Sequence, residues 1–330
     1  MGLSGWVDRL ATRRPHVLLA EVPGWWHVRL ALEAELGRRG GVVVESPAEA
    51  DALVVVGAPD DRLADLVERL WQQLPGPRAR AQVNGVPDVA TVIDTLVADL
   101  ADRAAQTRDA AQRNGFEPGE GDHMAPSGIP LASGADDRDG LEMDVLHLPL
   151  GPVLRHWPAG LVVRCTLSGD LVAEVDVEWL GSSGDAPSAP LTPHLQAARC
   201  LDSAFGVLAL AGSDEQRTAT RRLRDRLVLG DQTVTAQDVE RLHTRLSRSR
   251  TLRWMVRDVG RHRGADVHDR LLSALGDAAT HLAGGPVEPH TVEPGVLAEL
   301  LPGTELAQVR LVVASLALPH ETVAAQVSHG

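Results

Sequence analysis

The sequence predicts a mixed α/β protein: an N-terminal α/β sandwich on a short parallel sheet, then a small β-hairpin region, then an all-α helical bundle. Three observations support this prediction. The first hundred residues alternate short apolar runs with helical patterns, which is typical of strand–helix–strand units. Residues 141–182 alternate apolar and polar side chains, as half-buried strands do. From residue 194 onward the spacing is helical over five segments of bundle length.

Four short segments are predicted to form the parallel strands of the first domain: residues 16–22, 42–45, 52–56 and 79–83. The first, residues 16–22, is a continuous apolar run, which fits a strand that is covered on both faces. Helical patterns connect the four segments. Gly40 ends the first helix, Asp60 or Asp61 caps the second, and a third follows over residues 88–106.

Composition shifts divide the chain into five predicted parts. A stretch rich in Gly, Pro, Asp and Ser is predicted to be a flexible arm, and a shorter one to be a linker. Ser168-Gly169-Asp170 marks a hairpin turn. The parts are an α/β domain (1–105), the arm (106–140), a β segment (141–182), the linker (183–193) and a helical domain (194–330).

Charge and composition restrict the partners. The net charge of −13 argues against nucleic-acid binding and against docking on an anionic membrane. Apolar runs of the ~18 residues that a spanning helix needs are absent from the sequence, so no direct membrane insertion is predicted. The N-terminal residues lack a signal-peptide pattern, which predicts a cytoplasmic protein. The absence of Lys and Tyr is interpreted as high-GC coding bias, as in actinobacteria.

Sequence motifs of common enzyme sites are missing. A P-loop needs a lysine, and the chain has none. No G-x-S-x-G nucleophile elbow occurs, and Pro23-Gly24-Trp25-Trp26 stands where a dinucleotide-binding turn would need glycines. Cys165 and Cys200 are the only cysteines, too few for a four-iron cluster. We therefore predict no catalytic, cofactor-binding or metal-binding residues and no cofactor.

Residues 16–86 carry a resemblance to a known family. The segment "SPAEAD" (46–51), the strand after it that stops at Gly57, and the later Pro75-Gly76-Pro77 resemble the small, cluster-bearing subunit of respiratory complex I and of membrane-bound nickel–iron hydrogenases. Residues 145–260, from "LHLPLGP" through a hairpin to the first helices, are similar to the opening of the large subunit of the same assemblies. Together they resemble a degenerate fusion of the two subunits.

Departures from the family pattern imply that its cofactor ligands have been lost. The resemblance places cluster cysteines near Glu21-Val22 and near Val83-Asn84, and neither place has one. Trp25 and Trp26 would fill the space near the first. The family's quinone-pocket histidine is replaced within Gly151–Leu154. His147 and His156 flank the motif and could substitute for it, but they are interpreted as structural or surface residues. The C-x-x-C pairs of a hydrogenase are also missing.

Further polar groups were weighed as sites and interpreted as ordinary loop or surface residues. His123-Met124 suits copper(I) but supplies too few ligands. An acidic group in the arm suits Ca²⁺ but lacks the EF-hand spacing, so a solvated linker is favoured. His262 and His268 are interpreted as surface residues, and the Arg-rich helices as salt-bridged faces. The acidic group is Asp136, Asp137, Asp139, Glu142 and Asp144.

The expected function is that of a non-catalytic structural or assembly subunit. The resemblance implies other subunits of a membrane-bound, complex I-like or hydrogenase-like assembly as partners, with the chain on the inner face of the membrane through them. Two alternatives stay open. One is a flavin- or quinone-binding oxidoreductase component that uses the edge of the α/β sheet, and the other is a free-standing cytoplasmic regulatory module.

Overall fold

The computed structural model describes residues 14–113, 133–136, 142–181, 192–288, 292–293 and 295–318. These residues form two compact units. The first contains residues 14–113 and 180–181, and the second contains 133–136, 142–179 and 192–318. In the part of the chain described, every helix is too short or too polar to cross a membrane.

The first unit is a parallel sheet with crossover helices. All three strand pairs are parallel, and the strand order is β2-β1-β3-β4. This is the order of doubly wound sheets of the flavodoxin type. The elements are β1 (His16–Glu21), α1 (Trp26–Arg38), β2 (Val42–Val43), β3 (Ala52–Val56), α2 (Asp61–Gln73), β4 (Ala79–Val83), α3 (Val89–Ala101) and α4 (Arg103–Arg113).

Local sequence explains most of these elements. Every residue of β3 is buried, as the continuous apolar run predicts for a central parallel strand. Of the two predicted caps for α2 it is Asp60 that acts, since its carboxylate accepts a hydrogen bond from the Leu63 N–H at 2.9 Å. Gly40 follows α1 with a φ of 81°, the left-handed conformation that glycine adopts most easily.

The region after β4 differs from the prediction. The helix predicted over residues 88–106 breaks at Asp102, whose carboxylate accepts hydrogen bonds from the Ala104 and Ala105 N–H groups and so starts α4. Helix α4 continues to Arg113, inside the predicted arm, because its Ala, Arg and Gln residues favour helix. A second part of the predicted arm forms strand β5.

The second unit combines an antiparallel sheet with helices. The sheet order is β5-β6-β7-β8, and Gly169-Asp170 forms the predicted turn between β7 and β8. The elements are β5 (Ser133–Asp136), β6 (Glu142–Leu150), β7 (Leu161–Ser168), β8 (Leu171–Trp179), α5 (Pro193–Leu210), α6 (Asp214–Val228), α7 (Ala236–Ser247), α8 (Arg250–Val256), α9 (Val267–Leu282), α10 (Val296–Leu300) and α11 (Leu306–Ser315).

The helices after residue 194 do not form a separate all-α bundle. Leu297 of α10 and Val309 and Val312 of α11 share one buried cluster with Leu161 and Val163 of β7. The helical pattern predicted these helices but not the sheet against which they pack, because apolar spacing marks a buried face without identifying its partner. One of the five predicted helical segments, residues 236–260, also divides, as Ser249 caps a new helix, α8.

Candidate functional site at the carboxyl edge of the parallel sheet

The strand order of the first unit indicates where a ligand site would lie. In open α/β sheets, ligands bind beyond the carboxyl ends of the strands at the point where the strand order reverses. Here β1 has β2 on one side and β3 on the other. The corresponding crevice lies between the segment that follows Glu21 and the segment that begins at Gly57.

This crevice is filled by the indole of Trp25. A Cβ placed on Gly57 would lie 2.6 Å from the Trp25 ring, and Gly57 has a φ of 100°. Trp25 is only 5 % exposed, and its backbone N–H donates to the Val22 carbonyl at 3.2 Å. The burial predicted for Trp25 and Trp26 is confirmed. The ring thus occupies the surface on which a phosphate or a metal cluster would approach the backbone.

Glu21, at the first expected cysteine position, is part of an ion-pair cluster. Its carboxylate accepts a hydrogen bond from Arg29 Nε at 2.5 Å, and Arg29 also binds Glu33 at 3.1 Å. All three side chains are at most about one fifth exposed. Because a buried charge needs an opposite charge beside it, these groups stabilise one another here.

Val83 and Asn84, at the second expected cysteine position, also lack a metal-binding thiolate. Val83 is fully buried at the end of β4. The amide of Gln82 donates to the Gly57 carbonyl at 2.9 Å and to the Asn84 side chain at 3.0 Å. This hydrogen-bonded group holds the loop after β3 against β4. A four-iron cluster, which needs thiolates, therefore does not fit the residues present at this edge.

The two cysteines lie in the second unit, Cys165 in β7 and Cys200 in α5. Burial raises the pKa of Cys165 to about 11 and, together with the nearby Asp277 carboxylate, raises that of Cys200 to about 12. Both thiols are therefore protonated at neutral pH, whereas metal binding and nucleophilic attack require the thiolate.

The two histidines that flank Gly151-Pro152 lie in different settings. His147 is exposed on β6, and its Nδ1 lies 3.2 Å from the Thr166 hydroxyl across the strand pair. His156 has a φ of 58°, and its ring meets the Phe205 ring edge to face with centroids 5.0 Å apart. Neither contact favours the quinone role considered from the sequence.

A buried arginine in the second unit was missed by sequence reasoning. Arg224 is 1 % exposed and contacts Asp225 at 2.8 Å and Asp202 at 2.5 Å. Its guanidinium also lies 4.9 Å from the centre of the Phe205 ring. The available signal was its register, since buried Thr220, Arg224 and Leu227 follow the i, i+4, i+7 spacing of a core-facing stripe.

Asp266, His268 and Asp269 form the one three-residue group with metal-ligand spacing in the described residues. The prediction that His268 is a surface residue is wrong: it is 5 % exposed, because its spacing from Leu271 and Leu275 places it on the buried face of α9. The Asp266 carboxylate already accepts hydrogen bonds from the backbone N–H groups of Asp258 and Asp269. The bond from Asp269, together with the bond from the Asp266 N–H to the Asp269 carboxylate at 3.2 Å, forms a capping box. The backbone hydrogen bonds to Asp266 keep its pKa below its usual value against the effect of burial. Asp266 and Asp269 thus cap α9.

The remaining predicted groups lie at or beyond the limits of the described chain. His123, Met124, Asp137 and Asp139 are outside the described residues. Within the acidic group, Asp136 of β5 pairs with Glu142 of β6, and Asp144 pairs with Gly134. Asp136, Glu142 and Asp144 therefore belong to paired strands and not to a linker. Comparisons of the chain with protein-family models, curated proteins and solved structures find no match.

Proposed function

We propose that this chain is a non-catalytic structural or assembly subunit of a membrane-associated, complex I-like or hydrogenase-like assembly. The main support is the packing of Trp25 on Gly57. The edge of the sheet where such subunits would hold their cluster contains an indole, an ion pair and amide hydrogen bonds in place of thiolates.

The segment that carries the resemblance has a structural task in this fold. In "SPAEAD", residues 47–49 form a short 3₁₀ turn, and the Asp51 carboxylate accepts a hydrogen bond from the His16 N–H at 3.0 Å. This bond ties the start of β1 to the residue before β3. Retention of the segment without a cluster is thus consistent with a scaffold role.

Two measurements test the proposal. The first is the iron content and visible spectrum of the purified chain after incubation with iron and sulfide. We expect no bound iron and no sulfide-to-iron absorption band, and a stoichiometric cluster would overturn the proposal.

The second measurement uses the source cells. The chain, tagged and expressed in place of the native copy, is expected to co-purify from detergent-solubilised membranes with multi-spanning membrane subunits. Recovery of the chain without any membrane subunit would refute the proposal. Titration with a flavin and with a soluble quinone tests the oxidoreductase alternative, and saturable binding of either would favour that alternative instead.

A further inference from the structure

Residues 248–263, here called the arginine–tryptophan patch, differ in charge from the rest of the protein. They include six arginines and one acidic residue, within a chain whose net charge is −13. All six arginines are exposed. A concentrated positive region on an acidic protein creates a local field that attracts a negatively charged partner. The arginines are Arg248, Arg250, Arg253, Arg257, Arg261 and Arg263.

The arginines of the patch are not neutralised by other parts of the described chain. Arg257 and Arg261 both pair with Asp258, which belongs to the patch itself. The other four have no ion pair with any described residue. In contrast, Arg217 and Arg221 on α6 pair with acidic residues of their own helix, as the sequence predicts for a salt-bridged face.

The patch also exposes large apolar side chains on an anchored helix. Leu252 and Val256 of α8 are buried, and Ser249 caps the helix through the Leu252 N–H. This anchoring leaves Trp254 78 % exposed and Met255 43 % exposed. Trp, Met and Arg are among the residue types enriched in protein–protein interfaces, and Trp and Arg are among the most frequent hot-spot residues.

We propose that the arginine–tryptophan patch docks on an acidic protein surface that has an apolar recess for the Trp254 indole. The inference rests on the proposed function, and it identifies this surface as the contact with a partner subunit. A protein partner is favoured over a lipid surface because the net charge of −13 opposes docking on an anionic membrane. The large apolar side chains that α8 exposes are Trp254 and Met255, a smaller apolar face than an interfacial helix buries. A protein partner is favoured over nucleic acid because the net charge of −13 opposes long polyanions.

The test compares three proteins in the co-purification from solubilised membranes: the wild type, Trp254→Ala, and the double variant R250E/R253E. The control is R69E/R222E, which makes the same charge change at two exposed arginines outside the patch. We expect each patch variant to reduce recovery of membrane subunits at least about tenfold, as removal of a hot spot does. The control is expected to match the wild type, and circular dichroism checks that all variants fold.

The outcomes separate the two proposals. If the wild type and the patch variants recover membrane subunits equally, the docking inference is overturned and the proposed function stands. If the wild type recovers none, the proposed function fails and the inference fails with it. Two further assays test the other possible partners. Flotation with vesicles containing phosphatidylglycerol measures binding to lipid, and fluorescence anisotropy with a labelled single-stranded oligonucleotide measures binding to nucleic acid. Patch-dependent binding to either, with unchanged recovery of membrane subunits, would assign the patch to lipid or nucleic acid and refute a protein partner.

Discussion

Trp25 and Trp254 have the same side chain but opposite surroundings. Trp25 is 5 % exposed and packs on Gly57 at the edge of the parallel sheet, whereas Trp254 is 78 % exposed on α8. The first fills the place where a sheet of this type binds a ligand. The second is displayed by a helix whose buried residues, Leu252 and Val256, lie two positions to either side. The comparison shows one indole that fills space inside the first unit and another that is exposed for contact with a partner.

The largest expected effect comes from removing the buried ring. Trp25→Ala is expected to lower the free energy of unfolding by about 3–5 kcal/mol, because it removes a large buried aromatic and leaves a cavity. Urea titration followed by circular dichroism measures this change. If the ring fills a preformed crevice, added indole is expected to bind in the cavity and to raise the thermal midpoint of the variant.

The matched control for indole rescue is Trp254→Ala, which removes the same ring from an exposed position. Indole is expected to leave its thermal midpoint unchanged, since no enclosed cavity is created. If indole raised the thermal midpoint of both variants equally, the view that Trp25 fills a crevice and Trp254 does not would be contradicted.

A second prediction concerns the contact between Gly57 and Trp25. Gly57→Ala is expected to cost about 2–5 kcal/mol, because the new methyl meets the indole and alanine disfavours the positive φ. In a Trp25→Leu background only the backbone strain should remain, about 1–3 kcal/mol. A double-mutant cycle by urea titration measures the difference. Equal costs in both backgrounds would show that the ring does not press on Gly57.

Acid is expected to weaken the first unit through Glu35. Hydrogen bonds from Arg38, and also from Arg39, lower the pKa of this carboxyl to about 2 in the folded protein. A depressed pKa stabilises the fold above the unfolded-state value and loses this effect as the pH falls toward the folded value. The wild type should therefore lose more thermal stability than Glu35→Gln between about pH 5 and pH 2.5. Parallel curves for the two proteins would contradict this.

Sequence reasoning predicted the surroundings of Trp25 better than the exposed arginine–tryptophan patch. The apolar runs of β1 and β3 and the Asp60 cap are local signals, so the first unit and the burial of Trp25 followed from them. The packing of α10 and α11 on β7 depends on contacts between distant segments, which periodicity does not encode. The sequence also showed the arginines around Trp254. That four of them have no ion pair with a described residue, while Arg257 and Arg261 pair with Asp258, depends on which faces the fold brings together.

The smallest expected effect on stability comes from removing the exposed ring of the arginine–tryptophan patch. Trp254→Ala should change the free energy of unfolding by no more than about 0.5 kcal/mol, as surface substitutions usually do. Urea titration of the isolated chain measures this, and Leu252→Ala on the same helix is the contrasting variant, with an expected loss of about 2–5 kcal/mol for a buried leucine. A loss after Trp254→Ala as large as that after Leu252→Ala would mean that the indole supports the fold. With a small loss, any weaker recovery of membrane subunits by Trp254→Ala would be due to the missing ring at the interface and not to unfolding.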